Sequence, residues 1–164
     1  MIEIEKTFLV KNLPDLTQLT PEKILQGYLS PSPSPLRIRQ RDSKFEITKK
    51  LPLNPNDFSS AEEINIPLTE FEFNQLWILT QRSLEKLRYQ IPLENNLIAE
   101  LDVYQGQLAG LVVVEVEFPS QEAMDKFIPP SWFGYDITQE EFSANSFLAG
   151  KSFDKIKSLI SKYE

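Results

Sequence analysis

The sequence predicts an α+β protein: an antiparallel sheet of about eight short strands that curls on itself, with amphipathic helices at its ends and edges. Three observations predict it. EIEKTFLV, residues 3–10, sets Glu3 and Glu5 against Ile2, Ile4 and Phe8, and such alternation marks a strand, whose successive side chains point to opposite faces. Similar alternating runs recur along the chain between turn-forming residues. Segments with helical apolar spacing supply faces that need a sheet to pack on.

Taken in order, the first strand is followed by a short helix over 22–26 leading into a strand around Tyr28 and Leu29. SPSPSP, residues 30–35, cannot join a ladder and reads as a stiff extended loop. LRIRQRD alternates Arg37, Arg39 and Arg41 with Leu36, Ile38 and Gln40, then turns at Asp42 and Ser43 into KFEITKK, where Thr48 and Lys50 share a face. The Pro- and Asn-rich LPLNPNDFSS predicts a mobile loop, and AEEINIPL a strand with Glu63 and Asn65 opposite Ile64 and Ile66. Thr69 and Glu72 stand in capping-box spacing before a helix whose apolar stripe is Phe73, Leu76 and Trp77. Three strands come next, LEKLRYQIPL, LIAELDVY and LVVVEVEF. Ser120 caps a helix that stops before Pro129, Thr138 and Glu141 suggest another ending at Gly150, and a last amphipathic helix runs over 152–162. No linker divides the chain, so residues 1–164 are expected to form a single domain.

Composition narrows the chemistry. With 41% apolar and 25% charged residues the chain reads as an ordinary globular protein. It has no cysteine and no histidine, which excludes disulfides, thiolate zinc sites, Cys nucleophiles and the usual general base. Chemistry must rest on carboxylates, Lys, Arg, hydroxyls and oxygen-loving metals. A formal charge of −7 argues against a nucleic-acid partner, and with neither a signal peptide nor a membrane-length apolar run the expected setting is cytoplasmic.

Strand parity sorts the charges into rows. Glu3 and Glu5 share a face, as do Arg37, Arg39 and Arg41, Lys86 and Arg88, Glu100 and Asp102, and Glu115 and Glu117. One reading is the wet face of an amphipathic sheet. The other is the lumen of a barrel whose apolar outside is covered by helices. Sorting by sign favours the lumen: two like charges about 5 Å apart, at an effective dielectric near 20, repel by roughly 3 kcal/mol, against a total stability of ~5–15 kcal/mol. Such rows call for counterions or a ligand. A hairpin turn centred near Leu108 and Ala109 would set Glu100 opposite Glu117 and Asp102 opposite Glu115, a patch suited to Mg²⁺ or Mn²⁺. Facing Arg and Lys rows complement phosphate oxygens.

These segments, in order, carry a resemblance. EIEKTFLV, QGYL, LRIRQ, the T-x-K of ITKK, EEINI, LEKLRY, AELDVYQGQLAGLVVVEVEF and FIPPSWFG resemble the CYTH-domain, triphosphate tunnel metalloenzyme family over nearly the whole chain. The resemblance implies an eight-stranded antiparallel tunnel that binds a linear triphosphate and divalent metals, and, for small bacterial members, hydrolysis of inorganic tripolyphosphate to diphosphate and phosphate. It assigns metal binding to Glu3, Glu5, Glu100, Asp102, Glu115 and Glu117, phosphate binding to Arg37, Arg39, Lys50, Lys86 and Arg88, and further tunnel positions to Glu63, Tyr28 and Arg41. Glu5, beside the attacking water, and Lys86, on the transferring phosphate, are the expected catalytic groups. The family's opening E-x-E-x-K here has Thr7 at the Lys position; Ser59 and Ala61 replace an Arg and a Glu; and the Arg-Tyr-x-Asn run reads Phe142, Ser143, Ala144 and Asn145. These departures keep open a weakened tunnel that only binds polyphosphate or nucleotide, and class IV adenylate cyclase chemistry is a third reading. The expected partner is a small-molecule triphosphate, and the protein is expected to be a monomer or homodimer.

Overall fold

The computed structural model describes residues 2–30 and 36–163; most of the predicted SPSPSP loop therefore lies outside the described residues. Among the described residues nine strands form one antiparallel sheet: β1 (Ile2–Val10), β2 (Glu22–Tyr28), β3 (Leu36–Arg41), β4 (Lys44–Asn54), β5 (Asp57–Leu68), β6 (Arg82–Pro92), β7 (Ile98–Tyr104), β8 (Val112–Glu117) and β9 (Phe133–Asp136). The order β5-β4-β3-β2-β6-β7-β8-β1 closes through a β1–β5 pairing, which makes the first eight strands a barrel. β1 is the seam. Ile2–Ile4 pair with β5, but Phe8 and Val10 pair with β9, so β5 leaves β1 near Glu5. Segment 136–138 fills the gap: Ile137 N–H donates to Thr7 O at 2.8 Å, and Thr7 N–H donates to Thr138 Oγ1 at 3.0 Å.

Two apolar clusters place the barrel. One lies outside it, where Phe8, Leu101, Val114 and Val116 meet Phe118, Met124 and Phe133, with Phe8 edge-on to Phe133 at 5.1 Å. The other stops one end of the lumen, where Tyr28, Leu84, Tyr104 and Val113 meet Leu148, Ile156 and Ile160. Each fully buried aliphatic or aromatic side chain contributes about 1.5–3 kcal/mol. The polar remainder of the lumen is thus bounded by apolar material on its outer wall and at one end.

Helix α1 (Glu70–Trp77) forms as its caps predict: Thr69 Oγ1 accepts from Glu72 N–H at 3.2 Å, and Glu72 accepts from Thr69 N–H at 2.7 Å. Trp77 is a packing residue, stacked on Phe73 at 5.5 Å. It also closes over Gly27, where a Cβ would stand 2.4 Å from Thr80 Cγ2. Helix α2 (Gln121–Asp125) is capped by Ser120, and α4 (Phe153–Ile160) buries Ile156 and Ile160 in the lumen stopper.

The structure corrects four expectations. Residues 22–26 are strand, because β2 is hydrogen-bonded on both sides, to β3 and β6, and that pairing overrides a short run of helix formers. LPLNPNDFSS is the tip of the β4–β5 hairpin, with ladder pairs reaching Pro52↔Ala61 and Asn54↔Asp57. Thr138 caps no long helix, since its hydroxyl serves β1; the segment holds only a 3₁₀ turn, Glu141–Ser143, and one short helix, α3 (Asn145–Leu148). β9, a single four-residue strand added to β1, carries no alternating signature in FGYD and is absent from the sequence-based expectation.

Candidate active site

Strand register decides which charges meet. Tyr28 lies between Arg37 on β3 and Arg82 on β6, Arg88 faces Asp102, Glu100 faces Glu115, Glu5 faces Glu117, and Lys50 faces Glu63. The β7–β8 hairpin is two residues off the expected register: Glu100 opposes Glu115, not Glu117, and Asp102 opposes Val113. The reason is its tight loop, a 3₁₀ turn at Gly106–Leu108 between glycines with φ of +60° (Gly106) and +109° (Gly110). A two-residue shift preserves parity, so all four carboxylates stay on the lumenal face.

Glu3, Glu5 and Glu117 converge from β1 and β8, with one carboxylate oxygen of each within 4.8 Å of the others. This all-oxygen donor set fits a hard divalent cation. Burial, reinforced by the charges of Glu63, Glu5 and Glu117 and opposed by Lys50, pushes the Glu3 carboxyl up to about 7. Burial and its acidic neighbours Glu100 and Glu5 also raise Glu117. Lys50 answers the trio from β4, donating to Glu5 at 2.7 Å and to Glu3 at 3.4 Å.

The other carboxylates serve a guanidinium. Arg88 donates to Asp102 through Nε and Nη2, each at 2.7 Å, and also engages Glu100 and Glu115. Asp102, fully buried, takes Lys86 as well. Burial alone would raise Asp102, but Arg88 and Lys86 outweigh it and hold the carboxyl below its usual range. Lys86 further donates to Asn145 Oδ1 at 3.3 Å, an atom that also accepts from Tyr104 OH at 2.6 Å.

A cavity of about 540 Å³ opens between the β4–β5 hairpin and the segment around α3. Of the predicted site residues, Glu5, Tyr28, Arg37, Lys50 and Glu115 line it. Tyr28 OH accepts from Gln26 Nε2 at 2.8 Å. Arg39 is engaged by Glu46, and Arg41 stands 3.7 Å from Glu22, two acidic partners that sequence reasoning missed although both sit at lumenal parity. Arg37 donates to Glu63 at 3.4 Å, yet its Nε is buried without an acceptor among the described residues. Such an orphaned donor carries a penalty of about 1–3 kcal/mol, and a phosphate oxygen is an acceptor suited to it.

No family model matches the chain. A curated relative from Nitrosomonas europaea, named inorganic triphosphatase, is 42% identical over 153 residues, spanning 91% of this chain and 97% of the relative. The chain belongs to the inorganic triphosphatase family. A second relative of that name, from Acetivibrio thermocellus, is 30% identical over 159 residues, spanning 94% of this chain and 97% of its own. The crystal structure of an inorganic triphosphatase superposes with a TM-score of 0.66 at 38% identity, covering 90% of this chain and 93% of the other. A Hippeastrum protein, described as a putative adenylyl cyclase with a dominant triphosphatase activity, shares the fold alone, with a TM-score of 0.55 at 15% identity over 76% of this chain and 82% of its own. The fold is the CYTH-type triphosphate tunnel that the sequence motifs implied.

In this chain, the departures from the family pattern have visible local consequences. Thr7 lines the cavity without a charge, while Lys6 turns outward, as parity requires, and pairs with Asp136 at 3.3 Å. Ser59 donates its hydroxyl to Asp57 at 2.7 Å, and Ala61 sits opposite Glu3. Phe142 packs into the lumen stopper. Of the 142–145 run, Asn145 reaches the lumenal charges directly.

Proposed function

We propose that the protein hydrolyses inorganic tripolyphosphate to diphosphate and phosphate with Mg²⁺ or Mn²⁺ bound. The observation that carries this reading is the juxtaposition of a metal-spaced acidic trio, Glu3, Glu5 and Glu117, with Lys50 and with Arg37, whose buried Nε lacks an acceptor among the described residues. A divalent cation on that trio would supply Lewis-acid polarisation of phosphate oxygens and acidify a water. Glu5, exposed to the cavity, orients the attacking water in line with the scissile bond. Arg37 and Lys50 bind phosphate oxygens from the cavity wall, and Arg39 extends the cationic row. Arg88 is fixed by three carboxylates and Lys86 by Asp102 and Asn145, so both present preorganised positive charge to the transferring phosphate. We read the whole chain as one working unit, since β1 and β5 close the same barrel that carries every one of these groups.

Phosphate release from tripolyphosphate should require Mg²⁺ or Mn²⁺ and should fall at least about a hundredfold in Glu117→Gln, in keeping with the loss of transition-state electrostatics. Equal rates in wild type and variant would remove the acidic trio from the reaction.

A further inference from the structure

The mouth of the cavity carries two cations outside the expected phosphate set. Arg82 has lumenal parity with Lys86 and Arg88, and the register places it in one cross-strand row with Tyr28 and Arg37. Lys151 comes from the opposite wall, just after α3. Both line the cavity, and among the described residues neither is ion-paired to a carboxylate; Glu141, on the same wall, lies beyond ion-pairing distance. Backbone carbonyls hold them instead: Arg82 Nη1 donates to Ser146 O at 2.7 Å, and Lys151 Nζ donates to Phe147 O. The Arg82 stem packs on Gly150, 3.3 Å from where a Cβ would stand, and Gly150 N–H donates to Ser83 O at 3.2 Å. Both cations are thus clamped to the α3 segment, where burial first, and then the neighbouring charges of Arg82 and Lys155 against that of Glu141, lower the pKa of Lys151.

The deeper cations are paired with carboxylates; among the described residues these two form no ion pair, and Glu141 acts on Lys151 only from beyond contact. Lys151 also lies 3.8 Å over the Phe147 ring, so the aromatic face at the mouth is covered by a cation and closed to a stacking base. We propose that Arg82 and Lys151 grip the outermost phosphate of the substrate and make the site select a free terminal phosphate over an esterified one, a specificity that rests on the triphosphatase reading above. A terminal phosphate of inorganic tripolyphosphate offers one more ionisable oxygen than the sugar-esterified phosphate of a nucleoside triphosphate. Two paired cations answer that extra charge; a nucleoside would meet a charged, non-stacking rim.

The test is calorimetric titration of tripolyphosphate and ATP into wild type, Lys151→Gln and the double variant with Arg82→Gln, with EDTA present so that turnover consumes neither titrant. Wild type binds tripolyphosphate more tightly than ATP, and the ratio of the two affinities falls about tenfold in Lys151→Gln and further in the double variant. Lys151→Gln leaves the Arg82 clamp intact, so an unfolded double variant does not decide the matter. An unchanged ratio, an equal loss for both ligands, or a wild type that binds neither would overturn the proposal. A protein that binds with this preference yet never releases phosphate with Mg²⁺ or Mn²⁺ would overturn the triphosphatase reading and leave this one standing.

Discussion

Glu3 ties the acidic trio to pH. Its carboxyl, ordinarily near 4.5, is pushed up to about 7, chiefly by burial. Without metal, the folded protein therefore holds this proton more tightly than the unfolded chain does. The stability that Glu3 contributes is full below about pH 4.5, is lost as pH rises toward 7, and changes no further above it. Glu3→Gln cannot lose a proton, so its thermal midpoint should gain on wild type across that window and hold a constant lead above it; parallel midpoints from pH 4 to 8 would place Glu3 outside the buried cluster. Divalent cations compete with the same proton, so their affinity for wild type should rise with pH up to about 7 and then level off. Much at this scale was legible beforehand, because strand parity alone assigns Glu3, Glu5, Arg37, Lys50, Lys86 and Arg88 to one face. Parity does not reveal who pairs with whom. That Asp102 serves Arg88 and Lys86, while Glu117 joins β1, depends on register, which a hairpin's length in sequence leaves open by a step of two residues.

At the level of elements, α1 and the turn that follows it are seated on β2 by fitting Trp77 and Thr80 against Gly27, a residue with no side chain. Gly27→Ala would push a methyl to within 2.4 Å of Thr80 Cγ2, and overpacking of that kind should destabilise by about 1–3 kcal/mol, measurable by urea unfolding. An unaltered midpoint would mean that α1 rides loosely on the barrel. The caps of α1 and α2 were legible because Thr69, Glu72 and Ser120 bond locally, within the spacing that the sequence displays. β2 was not, because Ile24 and Leu25 put apolar groups on both faces and blur its alternation. The β4–β5 tip was obscured by Pro52 and Pro55, residues that usually mark loops but are tolerated where a hairpin runs beyond the main sheet.

For the whole molecule, closure is the property that local pattern does not display: it comes from three pairs between β1 and β5, about sixty residues apart in the chain, and from β9 filling the rest of the seam. Closure would also couple metal and substrate. Lys50 is held by Glu5 and Glu3, so under the proposed function a cation drawn to the acidic trio would release Lys50 toward phosphate, and phosphate on Lys50 would in turn open the trio to metal. Thermal stabilisation by Mg²⁺ and tripolyphosphate together should therefore exceed the sum of their separate effects, and Lys50→Met should abolish the excess; simple additivity in wild type would break the link. The most direct test of the tunnel's function is phosphorus NMR of tripolyphosphate incubated with the protein and Mg²⁺ or Mn²⁺. The account predicts that diphosphate and phosphate appear in equal amounts and that EDTA stops both. Unchanged tripolyphosphate with either metal would contradict it.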